Sequence, residues 1–276
     1  MEEPTFEDYL EIRRLSDCLY DVQGTRKRVT SRMENMPYIE IFADLEPMEA
    51  RITKLLANKL KHIPIWTEFL SKVKGVGPRL AGYVIGKTMV KFIPISAEEL
   101  KDYSPSQQNL AQKTENGKYM VPTRRGIEAF DNISKYWAYW GLGVEDGHAP
   151  RLEAGKKARY DPVKRSKMWN ISEQFVIQGT RYRADYDRYK KRKTAERTPP
   201  EKCPQYGINR ICKKQIAEGK KPSCKSHIHN MSKIYAVKQF IKDLWLAWRI
   251  LEGLPVTEPY VIDVLGHEKK DKPPLE

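Results

Sequence analysis

The longest uninterrupted signal in the chain is a stripe of apolar residues near its end. Met231, Ile234, Val237, Ile241, Leu244, Trp248 and Leu251 recur at three- and four-residue intervals, the spacing of one helical face, and Gly253 and Pro255 stop it. Phe42, Leu45, Ile52, Leu55, Leu56, Leu60 and Ile63 make a second stripe, after a break at Asn35 to Pro37 that ends an earlier charged helix. Asp161 followed by Pro162 predicts a helix start, with Asp as N-cap and Pro at the first helical position. That helix runs towards Arg197, with a bend at Gly179. Residues 90 to 126 break the helical rhythm. They are rich in Pro, Ser, Gln, Asn and Lys, and Asn116-Gly117 offers a turn, so an inserted loop or small hairpin is expected there. Nothing reads as a sheet of several strands. The fold class is therefore mainly α, a helical bundle with four regions: an N-terminal arm over 1–62, a body over 63–200, a Cys/His-rich connection over 201–230, and a long helix with tail over 231–276 that packs on the body.

One turn stands apart. "KVKGVGPRLAGYVIG", Lys72 to Gly86, joins two short helices through an apolar-Gly-apolar-Gly step, the order of a helix-hairpin-helix. Gly75 and Gly77 allow backbone angles that a Cβ would penalise, and Pro78 opens the second helix. Val73, Val76, Leu80, Val84 and Ile85 supply a buried face, and Ala81 and Gly82 are small where helices must approach. Free amides and the helix dipole make such a helix start an anion site. Lys72, Lys74, Arg79 and Lys87 surround it with positive charge. An ordinary αα-hairpin, whose glycines only turn the chain, is the alternative.

Charge points the same way. There are 50 Lys and Arg against 36 Asp and Glu in 276 residues, a formal charge of +14, which draws a protein towards polyanions and makes nucleic acid the leading partner class. "TRYRADYDRYKKRK" adds Arg181, Arg183, Arg188 and Lys190 around Tyr182, Tyr186 and Tyr189. The tyrosines share one helical face and read as core, while the cationic side reads as a track for phosphates, joined by Arg124 and Arg125. No run reaches the roughly 20 apolar residues of a membrane span, and the acidic start lacks the pattern of a signal peptide, so no membrane partner and a cytoplasmic location are expected.

"FLSKVKGVGPRLAGYVIG" followed by "FDNISKYWAYWGL" resembles the C-terminal domain of the IS-one-ten family of insertion-sequence transposases, over roughly Ile63 to Gly253. "HIHNMSKIYAVKQFIKDLWLAWRILEGLPVTEPY" is similar to the end of short stand-alone archaeal and viral members. The resemblance implies a DNA-binding protein of transposition or recombination that uses the helix-hairpin-helix. Two departures bear on mechanism. The acidic RNase H-like half of full-length members has no counterpart, since Asp8, Asp17, Asp21 and Asp44 fall on helical pattern. Ala154-Gly155 stands where the family has Ser-Gly, the serine being its proposed nucleophile; Ser134, Ser166 and Ser172 are the nearest hydroxyls. The chain is thus expected to bind DNA without cutting or joining it efficiently. A recombinase or nuclease, and an RNA-binding or architectural protein of a mobile element, are the other readings.

The connection carries Cys203, Cys212 and Cys224, then His227 and His229. Three thiols and either histidine could hold a structural Zn²⁺ in a closed tetrahedral site. Free thiols, with a histidine capping the next helix or contacting DNA, are the alternative.

Overall fold

The structure, a computed structural model, describes residues 3–33, 39–144, 149–150, 155–179, 181–196, 207–208, 210–219 and 225–256. In chain order its helices are α1 (Phe6–Met33), α2 (Leu45–Leu60), α3 (Pro64–Glu68), α4 (Pro78–Met89), α5 (Pro105–Leu110), α6 (Ile133–Tyr139), α7 (Pro162–Gln178), α8 (Arg181–Glu196), α9 (Arg210–Ala217) and α10 (Lys225–Leu251). A small antiparallel sheet of β1 (Val90–Ile95), β2 (Gln112–Lys113) and β3 (Tyr119–Arg124), in the order β1-β3-β2, interrupts them. The fold is mainly α.

The local chemistry explains the boundaries. Asp161 accepts the Val163 and Lys164 amides at the start of α7, as its position before Pro162 requires. Gly179 adopts a left-handed φ of 63° and separates α7 from α8, so the expected bend is a break. At the end of α10, Gly253 has φ 64° and the Leu254 amide bonds the Arg249 carbonyl. That wrap satisfies carbonyls that the helix leaves open.

One continuous core runs from Tyr9 in α1 to Trp248 in α10. The N-terminal helices pack on the body: α1 lies along α4 and α2, and α10 packs on α7, α8 and α6. Two glycines of α4 set the approach of its neighbours. A Cβ on Gly86 would lie 2.7 Å from the Arg13 Cα, and one on Gly82 would lie 2.7 Å from a Leu56 methyl, both too close for atoms in contact. Gly82 therefore admits α2 rather than the other helix of the hairpin. Of the second apolar stripe, Leu56, Leu60 and Ile63 are buried while Leu55 is exposed. The position facing the core one turn before Thr53 is instead Glu49, whose carboxylate pairs with Arg26 and Arg79. Three residues before α10's Leu244, the side chain of Ile241 is fully buried, as the last stripe predicts.

The sheet corrects the expectation of a loop or hairpin alone. The hairpin is present, with Gly117 at φ 74° and the Thr114 amide on the Lys118 carbonyl, but β1 pairs with β3 over Val90 to Ile95 as well. Among the described residues, no helix is long and apolar enough to cross a membrane.

Candidate nucleic-acid interface

Between the short α3 and α4 the chain makes a tight turn. Gly75 has φ 87°, a backbone conformation that side chains disfavour, and a Cβ there would meet the Gln174 Cβ of α7 at 3.0 Å. Its glycine is thus required by the fold. Gly77 differs in both respects. Its φ of −82° and ψ of 179° are ordinary extended backbone, and nothing lies within 4 Å of the Cβ it lacks. It stands as the N-cap of α4, with open space in front and no side chain capping the helix. The Ala81 amide bonds the Gly77 carbonyl. The Arg79 and Leu80 amides precede it in the first turn, where a helix offers no internal acceptor.

The predicted cations divide into three kinds. Lys72 and Lys74 are exposed beside the turn, Lys72 held loosely to Glu68 at 3.4 Å. Arg79 reaches back to the Thr53 hydroxyl at 3.2 Å and the buried Glu49 carboxylate at 3.4 Å, so its first role is to neutralise Glu49. Lys87 is a correction. It sits in the last turn of α4, about 15 Å along the helix from Gly77 at 1.5 Å per residue, and bonds Asp17 at 2.9 Å. Burial, then Arg13, holds its ammonium below the usual lysine range. It does not flank the turn.

On α8 the tyrosines and the charges separate as expected. Tyr182 and Tyr186 are buried, and Tyr189 stacks on Tyr235 at 4.4 Å. The Tyr182 hydroxyl donates to Asp243 of α10 at 3.1 Å, and Arg181 bonds the same carboxylate at 2.8 Å. Arg183 is tied to Asp187 and to the Val176 carbonyl, and Arg188 to Asp185. Lys190 is exposed and lies 5.2 Å from the Tyr186 ring centroid. The cationic side of α8 is consequently laced with carboxylates nearest the body, and its less encumbered charge collects towards Lys190 and Lys191. Arg124 pairs with Glu128 at 3.6 Å, while Arg125 turns inward, bonding the Lys87 and Val90 carbonyls.

Of the metal-ligand candidates, Cys203 and Cys224 lie outside the described residues, as does Ala154. Cys212 is half-buried on α9. His227 and His229 fall in the first turns of α10, and His229 Nδ1 lies 2.6 Å from the Tyr186 hydroxyl. Burial, followed by Lys233, lowers the His229 pKa. Among the described residues no three His, Cys, Asp or Glu side chains gather as a metal site. Asp8 caps the start of α1 through Thr5, and Asp17 serves Arg13 and Lys87. Ser172 is buried and donates to the Trp169 carbonyl at 2.6 Å, whereas Ser134 and Ser166 are exposed.

Sequence reasoning missed the Glu49 cluster and a lysine of α7, Lys167. An acidic residue within an apolar stripe, opposite Arg26, was the available signal for the first. Compared with protein-family models, curated proteins and solved structures, the chain matches none.

Proposed function

We propose that the chain binds DNA through its phosphate backbone, with the start of α4 as the central contact. The observation that carries this reading is Gly77, a glycine that neither backbone angle nor packing demands, facing open space at an uncapped helix start. A side chain there would occupy the position in which a phosphate can approach first-turn amides. Lys72 and Lys74 place two exposed cations beside it. Lys190 and Lys191 on α8 are exposed and supply further charge. Such contacts position a duplex without reading its sequence. The resemblance to insertion-sequence transposases suggests DNA transposition or recombination as the setting.

Gel-shift titration with linear duplex, branched DNA and structured RNA of equal charge, with and without magnesium, tests the reading. Retention of duplex or branched DNA in preference to RNA, with substrate left uncut, is expected. Preference for RNA, or magnesium-dependent cleavage, would transfer the function to the RNA-binding or nuclease reading.

A structural zinc is also proposed, held by Cys203, Cys212, Cys224 and His229. The histidine suits the role: with Nδ1 bonded to the Tyr186 hydroxyl, Nε2 is left for a metal, and the lowered pKa keeps the ring neutral as ligation requires. Elemental analysis of untagged protein should give about one zinc per chain. A stoichiometry near zero rules the site out.

A further inference from the structure

Lys167, in the second turn of α7, is a half-buried cation whose ring and charge neighbours set it apart from the lysines around it. Its ammonium lies 3.3 Å from the Tyr20 ring centroid of α1 and 5.7 Å from that of Tyr83 of α4. The described residues give it no carboxylate within salt-bridge distance. Its charged neighbours are Lys27 of α1 and Lys87 of α4, and they repel it. Burial first, then these two lysines, pushes its pKa down to about 8. Nearby lysines are treated differently: Lys164 bonds Asp161 at 3.3 Å, Lys87 bonds Asp17, and Lys233 bonds Glu173 at 2.5 Å. The face of the Tyr20 ring attracts the ammonium, but burial and two like charges work against it, and an anion arriving from outside would relieve both.

Its position relates it to the hairpin turn. Gln174, which packs on Gly75, lies seven residues further along α7, so Lys167 shares its face of the helix about 10 Å away, at 1.5 Å per residue. Tyr83 lies one and a half turns beyond Gly77 on α4. The turn and Lys167 are thus linked through the same two helices, by Gly75 against Gln174 and by Lys167 against Tyr83.

We propose that Lys167, seated over Tyr20 and beside Tyr83, is a second phosphate-contact point for the strand whose backbone meets the Gly77 turn. This inference rests on the phosphate-binding reading above. The incoming phosphate supplies the counter-charge that the fold withholds, and Lys27 reinforces it from α1.

The test compares wild type, Lys167→Met and Lys167→Arg by fluorescence anisotropy with a labelled DNA duplex over a salt series. Removing one phosphate contact should reduce the slope of log affinity against log salt by about one and lower affinity on the order of tenfold. Arginine should restore the slope. The folded-state pKa lies below the unfolded value, so at pH 7 the ammonium opposes folding, and the methionine variant should melt no lower than wild type. A wild-type slope and affinity in Lys167→Met, with wild type binding normally, overturns this inference alone. Failure of wild type to bind overturns the DNA-binding reading and this inference with it. A measurement without substitution checks the same point: acetic anhydride labelling of Lys167 at pH 8, read by mass spectrometry, should be suppressed by the duplex. Equal labelling with and without DNA contradicts the contact.

Discussion

Affinity for duplex DNA should fall about a thousandfold or more as salt rises from about 50 to about 200 mM, with the site near Gly77 intact throughout. The expectation follows from charge and from the kind of group offered. A formal charge of +14 and an interface of lysines, arginines and helix amides release condensed counterions when phosphates are neutralised, and about six to ten contacts give a slope steep enough for that loss. The structure refines which cations count. Arg79 is committed to Glu49, Lys87 to Asp17 and Arg181 to Asp243, so the slope should stay well below what 50 basic side chains would allow. Titrations at four salt concentrations supply the number. A nearly salt-independent affinity would mean that apolar or base contacts dominate, and the phosphate account would fail.

Replacing Phe240 with alanine should cost about 3–5 kcal/mol, a large part of the roughly 5–15 kcal/mol that holds a native chain. Phe240 is fully buried on α10, where three elements meet: it contacts the rings of Phe69 before the hairpin, Phe175 of α7 and Tyr182 of α8, with centroids 6.3, 5.3 and 5.5 Å away. Alanine leaves a cavity that three aromatic rings from separate segments cannot all collapse into. Urea denaturation measures the loss directly, and the melting temperature should drop on the order of 10 °C. Leu55→Ala, at an exposed position of the other stripe, should change little. A loss under about 1 kcal/mol at Phe240 would contradict the single core that joins α10 to the hairpin region.

How much of this could be read in advance varies with the residue. The last stripe predicted α10, because Val237, Ile241, Leu244 and Trp248 bury on one face and helical spacing is a local property. The tyrosines of α8 were legible for the same reason. Spacing does not reveal a neighbour, however. The close approach of Gly75 to Gln174 of α7, and of Gly86 to Arg13 of α1, joins residues 99 and 73 positions apart in sequence and is reached through tertiary packing. The strands were hidden by Pro94 and Pro122, which lack the amide a ladder uses and so suggested a loop. Pro94 lies on edge strand β1, and Pro122 lies where β3 extends beyond its pairing with β2. Lys167 gave no sign at all. One lysine among many becomes distinctive only when its described surroundings lack a carboxylate and its ammonium lies over a tyrosine ring.

The central claim is that the start of α4 receives a phosphate, and Gly77→Asp tests it most directly. Aspartate is a better N-cap than glycine by a few tenths of a kcal/mol, the backbone there already has a conformation it accepts, and the space in front is open. The variant should therefore fold at least as well as wild type. Its carboxylate would accept the first-turn amides itself and place a fixed negative charge where the phosphate belongs. Measured by anisotropy with a DNA duplex at one salt concentration, the affinity should fall on the order of tenfold or more while the melting temperature holds or rises. An unchanged affinity in the folded variant would show that the turn only joins two helices.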